Sequence, residues 1–334
     1  MKKKLLSALL CAAMVASLVI GCGSKEEPAA EAPAATEDAE VSAEEVEEAE
    51  DEENYETGDA SLDNTRNQDE IGENELLVVS FGTSFNDNRR LTIGAIEEKV
   101  EAAFPEYSVR RGFTSQIIID HVMSRDNVKI DNVTEALDRA VANGVKNLVV
   151  QPTLLMNGIE YEELTTTLAE YSDSFESVTV GEPLLTSDED FQKVATAIVD
   201  ATAEYDDGKT AIVFMGHGTH HESNAVYAKM QTVLTEGGHT NYFVGTVEGS
   251  PMLEDVMPLV EAGGYERVVL RPLMIVAGDH ANNDMAGLEE AGAWAYEFEA
   301  AGYEVVSVVE GLGQIEAIQD LIVEHTQAAV DSAK

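Results

Sequence analysis

Residues 211–219 read AIVFMGHGT, an apolar run that stops at a Gly-His-Gly-Thr turn. A continuous apolar run of this length is typical of a strand that is buried on both faces of a parallel sheet. The turn glycine and the polar residues after it predict an abrupt change from strand to helix. In open α/β sheets ligands lie beyond the carboxyl ends of the strands, so His217 is the first candidate for a functional role.

A second copy of this pattern lies earlier in the chain. Residues 76–84, LLVVSFGTS, align with the later run at the shared Gly-Thr pair, and in this register Phe81 lies opposite His217. Residues 145–161 align in the same way with residues 265–281, through an apolar strand, a proline and a later glycine. The chain therefore contains an internal repeat of strand-helix units.

Strand-length apolar runs alternate with helix-length amphipathic stretches throughout residues 76–334. This alternation predicts parallel sheets covered on both faces by helices. We expect an α/β fold of two similar Rossmann-like halves, residues 76–206 and residues 207–334, related by a pseudo-twofold. Such an arrangement opens a cleft between the halves, which is a common place for a ligand.

Three polar residues follow successive strands of the second half. His217 ends the first of these strands, Glu248 ends the second, and His280 follows the third. Side chains at the ends of neighbouring parallel strands converge on one crevice, and two imidazoles with a carboxylate suit zinc, cobalt, nickel or iron. The residues alone leave two interpretations open: a metal or acid-base site, or strand-end polar residues that cap helices.

Several motifs, in order along the chain, resemble the anaerobic-pathway sirohydrochlorin cobaltochelatases, which are class II tetrapyrrole chelatases. They are SFGTS (80–84), FTS (113–115), NGIEYE (157–162), GEPLL (181–185), VFMGHGTHH (213–221), VGTVEGSP (244–251), RPLMIVAGDHANNDMAG (271–287) and GLG (311–313). The long AGDHANNDMAG stretch is specific, whereas FGTS or GLG alone would be weak. The resemblance covers residues 76–330.

The resemblance implies a chelatase fold, a lyase-type reaction without a nucleotide, and insertion of Co²⁺ into sirohydrochlorin on the route to cobalamin. It also implies that the metal is contacted by the histidine of MGHG, the glutamate of TVEG and the histidine of AGDH. Those positions are His217, Glu248 and His280, the residues already selected by the strand ends. We expect the two histidines to hold the metal, and Glu248 to be a third ligand or a proton acceptor.

Residues around this trio are candidates for supporting roles. Asp279, and Asn283 or Asp284, are expected to hold the metal-binding imidazoles in position. Glu160 lies opposite His280 in the repeat and is expected to face the substrate from the other half. Ser84 and Thr219, which follow the two turn glycines, are expected near the ligand.

Sirohydrochlorin is a flat ring rimmed by carboxylates, so positive charge is expected near the cleft. The candidate cations lie near the loops of the first half. They are Arg89, Arg90, Arg110, Arg111 and Arg125.

The chain begins with MKKKLLSALLCAAMVASLVIGC, in which three lysines precede an apolar run too short to span a membrane comfortably. This is the pattern of a secretion signal, and its end resembles a bacterial lipobox. We expect residues 1–21 to be removed and Cys22 to be lipidated, because several acyl chains on one residue anchor a protein stably. The sequence thus predicts an exported lipoprotein on the extracytoplasmic face of the cell membrane.

Residues 22–75 are expected to form an acidic, disordered tether. Between residues 24 and 75 the chain has 21 acids against Lys25 and Arg66, and almost no large apolar residue. Such a segment repels itself and cannot build a core. The whole chain carries a formal net charge of −44, which argues against nucleic acid as a partner and is compatible with metal cations.

Two alternatives to the cobaltochelatase hypothesis remain open. The first is an exported carrier that binds a metal or a tetrapyrrole without turnover. The second is a chelatase for Fe²⁺ or Ni²⁺ in another tetrapyrrole pathway, since a His₂Glu set, which also suits Zn²⁺, does not choose among these metals. The sequence leaves the oligomeric state open, and a homo-oligomer is compatible with it.

Overall fold

Two four-stranded parallel sheets frame the protein in the computed structural model, which describes residues 57–289 and 291–333. The strands are β1 Asn74–Ser80, β2 Ser108–Phe113, β3 Asn147–Pro152, β4 Ser177–Val180, β5 Thr210–Gly216, β6 Tyr242–Thr246, β7 Arg267–Pro272 and β8 Glu304–Ser307. The strand orders are β2-β1-β3-β4 and β6-β5-β7-β8, and every pairing is parallel. The predicted α/β class and its repeated halves are confirmed.

Helices connect the strands, as the amphipathic stretches predict. They are α1 Asn86–Arg89, α2 Ala95–Ala103, α3 Gln116–Asp126, α4 Val133–Ala142, α5 Ile159–Tyr171, α6 Asp188–Asp200, α7 Ala225–Glu236, α8 Leu253–Gly263, α9 Trp294–Ala300 and α10 Glu316–Ser332. A π-helical turn, Arg90–Gly94, joins α1 to α2, and a second, Ala281–Met285, precedes α9.

The register of the two sheets supports the predicted internal repeat. In the first sheet Val79 pairs with Pro152, and in the second sheet Met215 pairs with Pro272. These are the residues that the two sequence alignments place opposite each other. The halves are therefore equivalent at the level of individual backbone positions.

The glycines of both strand-to-helix turns have left-handed backbone conformations. Gly82 has φ +111° and Gly218 has φ +92°, a region in which side chains are strained. A Cβ on Gly218 would also lie 2.4 Å from the backbone nitrogen of Gly249. The turn after β5 can therefore approach the end of β6 closely only because residue 218 is glycine.

The last helix of each half crosses to the other half. Helix α10 packs on α2 and β3 of the first half, and α6 packs against α7 of the second. One apolar core contains Val78 of β1, Phe214 of β5, Ile198 of α6 and Leu321 of α10. The predicted boundary at residues 206–207 thus separates the two sheets but not their helices, because each sheet buries a face against both crossing helices.

The prediction that residues 22–75 form a disordered tether is wrong for residues 57–75. The Asp87 N–H donates to the Thr57 carbonyl over 2.8 Å, so this segment covers the start of α1. The side chain of Asp63 is 2% exposed and forms an ion pair with Arg111 at 2.6 Å. Two acids of this segment, Asp63 and Glu75, are partners of buried arginines. The predicted signal, Cys22 and the tether as far as residue 56 lie outside the described residues.

Residues 283–301 form one of the helix-length stretches from which a helix is expected, and this expectation of a single helix is wrong. The π-helical turn ends at Met285 and α9 begins only at Trp294, with Gly287 and Gly292 in the irregular segment between them. Glycine is a poor helix former, and Gly292 adopts φ +109°. Among the helices of residues 57–289 and 291–333, none is long and apolar enough to cross a membrane.

Candidate metal centre

The three candidate ligands lie at the carboxyl edge of the second sheet. His217 directly follows β5, the strand that lies between β6 and β7. Glu248 follows the end of β6, and its N–H donates to the His217 carbonyl over 2.8 Å. His280 lies beyond β7, immediately before the π-helical turn Ala281–Met285. Parallel strands bring their ends to one edge, which explains why residues so distant in sequence meet.

The donor atoms of these residues form a compact group. One ligand atom from each of His217, Glu248 and His280 lies within 4.8 Å of the others. The two imidazole rings meet edge to face with centroids 4.5 Å apart, and His217 Nδ1 lies 3.9 Å from Glu248 Oε2. This spacing suits three ligands around one borderline cation. The structure brings the predicted trio together, and its metal-binding role stays a prediction.

The His217 ring is oriented by its own turn. His217 Nδ1 donates to the Gly218 carbonyl over 2.8 Å, which leaves Nε2 as the nitrogen that can bind a metal. The Gly218 N–H donates in turn to the hydroxyl oxygen of Tyr227, 3.2 Å away. Burial, with the nearby charge of Glu160, raises the pKa of Tyr227 to about 12, so its phenol stays neutral. The sequence offered no signal for Tyr227, because an aromatic residue on a helix face is ordinarily core.

The His280 ring is oriented by a carboxylate. His280 Nδ1 donates to Asp284 Oδ2 over 2.6 Å. Asp279, which the sequence also nominated, instead accepts a hydrogen bond from the Asn283 side chain over 2.6 Å. Asp284 contacts the imidazole because it lies four positions after His280, which aligns the two side chains on one helical turn.

Contacts from the first half close around this corner. Asn88 Oδ1 accepts a hydrogen bond from the Ala277 N–H over 2.8 Å, which joins the two halves beside the turn that carries His280. Across the cleft, Glu162 Oε1 lies 3.7 Å from His221 Nε2. Glu160 is exposed in the first turn of α5 and lies close enough to Tyr227 to affect its pKa.

The other two predicted substrate residues differ in position. Thr219 is half-buried beside His217, and its hydroxyl oxygen accepts the His221 N–H over 3.1 Å. Ser84 is fully buried, and its carbonyl accepts hydrogen bonds from Arg125 over 2.6 Å and from Arg89 over 3.4 Å. The side chain of Ser84 is therefore not at the surface of the protein, and its expected place near the ligand stays a prediction.

The arginines that the sequence nominated for carboxylate binding are mostly internal. Arg89, Arg110 and Arg111 are fully buried in ion pairs with acids of the same half. Arg90 pairs with Asp87, and Arg125 with Asp126. The sequence did not predict this, because an arginine on a strand or in a loop can be either buried or exposed in the cleft, and the linear sequence does not distinguish the two.

A family model for cobalt chelatase, CbiK, matches residues 74–331. The chain belongs to the CbiK family. The match begins at β1 and ends in α10, so it spans both sheets and the whole candidate metal centre.

Two curated relatives of this family align over nearly all of their own length. The sirohydrochlorin cobaltochelatase of Salmonella typhimurium is 35% identical over 258 residues, which is 77% of this chain and 97% of the relative. The sirohydrochlorin cobaltochelatase CbiKC of Nitratidesulfovibrio vulgaris is 31% identical over 259 residues, 77% of this chain and 90% of the relative.

Solved structures share the fold at lower identity. SirB from Bacillus subtilis with Fe³⁺ superposes with a TM-score of 0.53 at 14% identity, covering 78% of this chain and 97% of SirB. A multi-domain Deinococcus radiodurans protein with structural similarity to chelatases gives a TM-score of 0.51 at 17% identity, covering 76% of this chain and 55% of that protein. These likenesses confirm the chelatase-like fold of the CbiK family in this chain.

Proposed function

We propose that this protein inserts Co²⁺ into sirohydrochlorin without using a nucleotide. The observation that carries the proposal is the convergence of His217, Glu248 and His280, with donor atoms within 4.8 Å, in a chain of the CbiK family. The names of the two curated relatives support the same metal and the same ring. Co²⁺ is a substrate in this reaction and not a resident cofactor.

The donor set suits metal transfer. Three protein ligands leave part of the coordination sphere of a borderline cation to solvent, which ring nitrogens can displace. Neutral imidazoles bind such a cation without adding charge, and both Nδ1 atoms already donate to acceptors. Each imidazole therefore offers Nε2 to the metal.

Insertion also requires two protons to leave. The ring gives up its two inner N–H protons as Co²⁺ enters, so a divalent ion replaces two protons and charge is conserved. Glu248 lies beside His217 with about a third of its side chain exposed, which places a carboxylate between the metal and solvent. We assign Glu248 as metal ligand or proton acceptor, and solvent as the final acceptor.

The amino terminus supports a place for this activity outside the cytoplasm. The segment MKKKLLSALLCAAMVASLVIGC resembles a lipoprotein signal, and we propose that lipidated Cys22 anchors the protein to the extracytoplasmic face of the cell membrane. A Cys22→Ser variant should then lose acyl-chain labelling and leave the membrane fraction. Retention of the label by this variant would exclude the anchor.

The same export pattern favours a second candidate, a carrier that binds a metal or a tetrapyrrole and does not turn over. Stoichiometry separates the two functions. A carrier binds one equivalent and stops, whereas an enzyme releases metallated ring through many cycles. Fe²⁺ and Ni²⁺ belong in the same experiment, because the His₂Glu set alone does not select cobalt.

The test is anaerobic incubation of the full chain with sirohydrochlorin and excess Co²⁺, followed by visible absorption through several turnovers. We expect multiple turnovers above the uncatalysed rate, and their loss in His217→Ala and in His280→Ala. Fe²⁺ and Ni²⁺ are run in parallel arms without added nucleotide. Binding without turnover in all arms would replace the enzyme with the carrier.

A further inference from the structure

The two imidazoles of the candidate metal centre are held by acceptors of different charge. His280 Nδ1 donates to the Asp284 carboxylate over 2.6 Å, and His217 Nδ1 donates to the Gly218 carbonyl over 2.8 Å. A hydrogen bond to an ionised acceptor is roughly twice as strong as one to a neutral acceptor. The ring of His280 is therefore fixed more firmly, and its Nε2 is the better donor to a metal.

Burial reinforces this difference. The His280 side chain is 16% exposed, whereas the His217 side chain is 45% exposed. His280 begins a π-helical turn that is braced by a hydrogen bond from the Asn282 side chain to the Gly278 carbonyl over 2.7 Å. His217 lies on the short turn after β5, and nearly half of its side chain is exposed. The two ligands therefore differ both in what holds them and in how freely they can move.

We propose that Asp284 is a positioning residue that makes His280 the anchoring metal ligand and leaves His217 as the ligand that releases first. This inference rests on the proposed function, because transfer to a ring requires protein ligands to leave one after another. As ring nitrogens take up Co²⁺, the exposed imidazole is displaced while the carboxylate-held imidazole keeps the ion aligned. The inner N–H protons of the ring pass to Glu248 or to solvent during the same exchange.

The first experiment measures metal binding without any ring present. The full chain and its variants are titrated anaerobically with Co²⁺, and the visible absorption of the bound ion gives each dissociation constant. We expect Asp284→Ala to raise the Kd for Co²⁺ by roughly 10- to 100-fold, as is typical when the partner of a ligating histidine is removed. Asp284→Asn should raise it less, because an amide oxygen can still accept the Nδ1 proton.

A matched control separates the hydrogen bond from simple loss of charge. Glu254 lines the same surface depression as Asp284 and is an exposed residue in the first turn of α8. Glu254→Gln removes one negative charge nearby and should leave the Kd for Co²⁺ within about twofold, since exposed charges are largely screened. Thermal unfolding of each variant shows whether a lost affinity comes from a lost fold, and the conservative Asp284→Asn keeps the test valid if Asp284→Ala unfolds.

The decisive comparison is between the Co²⁺ affinities of the two histidine variants. His280→Ala should raise the Kd for Co²⁺ more than His217→Ala does, and Asp284→Ala should resemble His280→Ala. With sirohydrochlorin present, Asp284→Ala should raise the KM for Co²⁺ while kcat at saturating Co²⁺ falls only a few-fold. His217→Ala should instead lower the turnover rate at every Co²⁺ concentration, including saturating Co²⁺.

Two results would overturn the proposal. One is an equal or larger loss of Co²⁺ affinity in His217→Ala than in His280→Ala, and the other is an unchanged Kd in Asp284→Ala. Both are read without the ring, so they are independent of the proposed function. Failure of the wild-type chain to metallate sirohydrochlorin would remove the enzyme assignment and leave the ordering of affinities to be judged by itself.

Discussion

The carboxyl edges of the two sheets have the same backbone and different chemistry. Where the second half carries His217, the first half carries Phe81, and the carbonyl of each accepts a hydrogen bond from an N–H just beyond the next strand. The Ser115 N–H contacts the Phe81 carbonyl over 3.2 Å, as the Glu248 N–H contacts that of His217 over 2.8 Å. The repeat therefore gives Phe81 and His217 equivalent backbone positions, and of these two residues only His217 belongs to the donor set that we propose for the metal.

The interiors of the halves differ in the opposite sense. Strands β2 and β6 occupy equivalent places, with Val78 paired to Arg111 in one sheet and Phe214 paired to Val244 in the other. The first half thus buries an arginine where the second half buries a valine. Arg111 is neutralised by Glu97 at 2.7 Å and by Asp63 at 2.6 Å.

This difference shows what each half contributes. The second half buries one arginine, Arg271, which pairs with Glu310. The first half buries Arg89, Arg110 and Arg111. Their partners include Asp63 and Glu75 of the segment 57–75. A buried ion pair is a weak source of stability, but the loss of one partner is severe. Substitutions in the first half should therefore mainly lower stability, whereas substitutions at the cleft edge of the second half should mainly lower activity.

The largest effect is expected at Asp63. Burial alone would raise the pKa of this carboxyl, but hydrogen bonds and charge from Arg111 and Arg89 hold it below its ordinary value. Asp63→Ala leaves these buried guanidinium groups with fewer acceptors and should lower the free energy of unfolding by about 3–5 kcal/mol. Urea unfolding at pH 7 measures the change.

The control for this prediction is Asp59→Ala in the same segment. Asp59 is exposed and accepts a hydrogen bond only from its near neighbour Ser61, over 2.9 Å. Its removal should change stability far less than removal of Asp63. Equal losses in the two variants would mean that the segment stabilises the first half by covering it and not by neutralising its arginines.

The next largest effect is expected when the residue at the equivalent strand end of one half is replaced by that of the other. His217→Phe gives the second half the residue of the first. It should lower kcat/KM for Co²⁺ insertion by at least about 100-fold, because mutating even a residue that only hydrogen-bonds to a metal ligand lowers metal affinity or activity by about 10- to 100-fold. Phe81→His makes the reverse exchange and should keep most of the activity. Steady-state rates of both variants test the comparison, and a His217→Phe enzyme of near wild-type rate would contradict it.

The sequence predicts the strands of both sheets well, and it predicts that His217, Glu248 and His280 lie close together. Continuous apolar runs locate all eight described strands to within a few residues, because parallel strands buried on both faces leave a clear signal. The trio follows from the rule that ligands lie at carboxyl ends of strands. The sequence thus predicts which side chains lie at the cleft when they directly follow the end of a strand.

Interactions between distant segments were not predictable in the same way. The acids of residues 57–75 suggest disorder by composition, yet Asp63 is the partner of Arg111, 48 residues later. The arginines nominated for substrate binding proved internal for the same reason, since a linear pattern does not state which charges are paired. The hydrogen bond between Tyr227 and the Gly218 N–H also joins residues that a linear pattern does not connect.

A smaller effect, which depends on pH, is expected at Glu75. Burial raises the pKa of this carboxyl from 4.5 to about 7, despite the positive charge of Arg110. Between these values the folded chain retains a proton that the unfolded chain has lost, so this residue's contribution to stability falls as pH rises through about 7. Glu75→Gln should remove the decline and stabilise the protein at pH 8 by roughly 1–3 kcal/mol.

Urea unfolding at pH 5 and pH 8 tests this prediction. The variant should differ little from wild type at pH 5, where the buried carboxyl is protonated. Glu73→Gln, an exposed neighbour on the same chain segment, serves as the control and should show no such pH dependence. A loss of stability in Glu75→Gln at pH 8 would mean that the ionised pair with Arg110 stabilises the first half.

The smallest effect is expected from salt, and it tests whether any cation of the first half serves the cleft. Every lysine and arginine within residues 57–333 lies within 4.0 Å of a carboxylate. The chain has a net charge of −44, so it attracts Co²⁺ and repels a polycarboxylate ring. Raising ionic strength from about 10 mM to 150 mM shortens the Debye length from roughly 30 Å to 8 Å.

The KM for Co²⁺ should therefore rise a few-fold with salt, while the KM for sirohydrochlorin should fall a few-fold. Sucrose at matched osmolality, which leaves charge interactions unscreened, serves as the control. A sirohydrochlorin KM that rises with salt would mean that a partly exposed arginine of the first half, such as Arg125 or Arg90, exchanges its acid for a substrate carboxylate. In that case the first half would contribute charge to the cleft as well as to its own core, and the two halves would differ less than their resting ion pairs indicate.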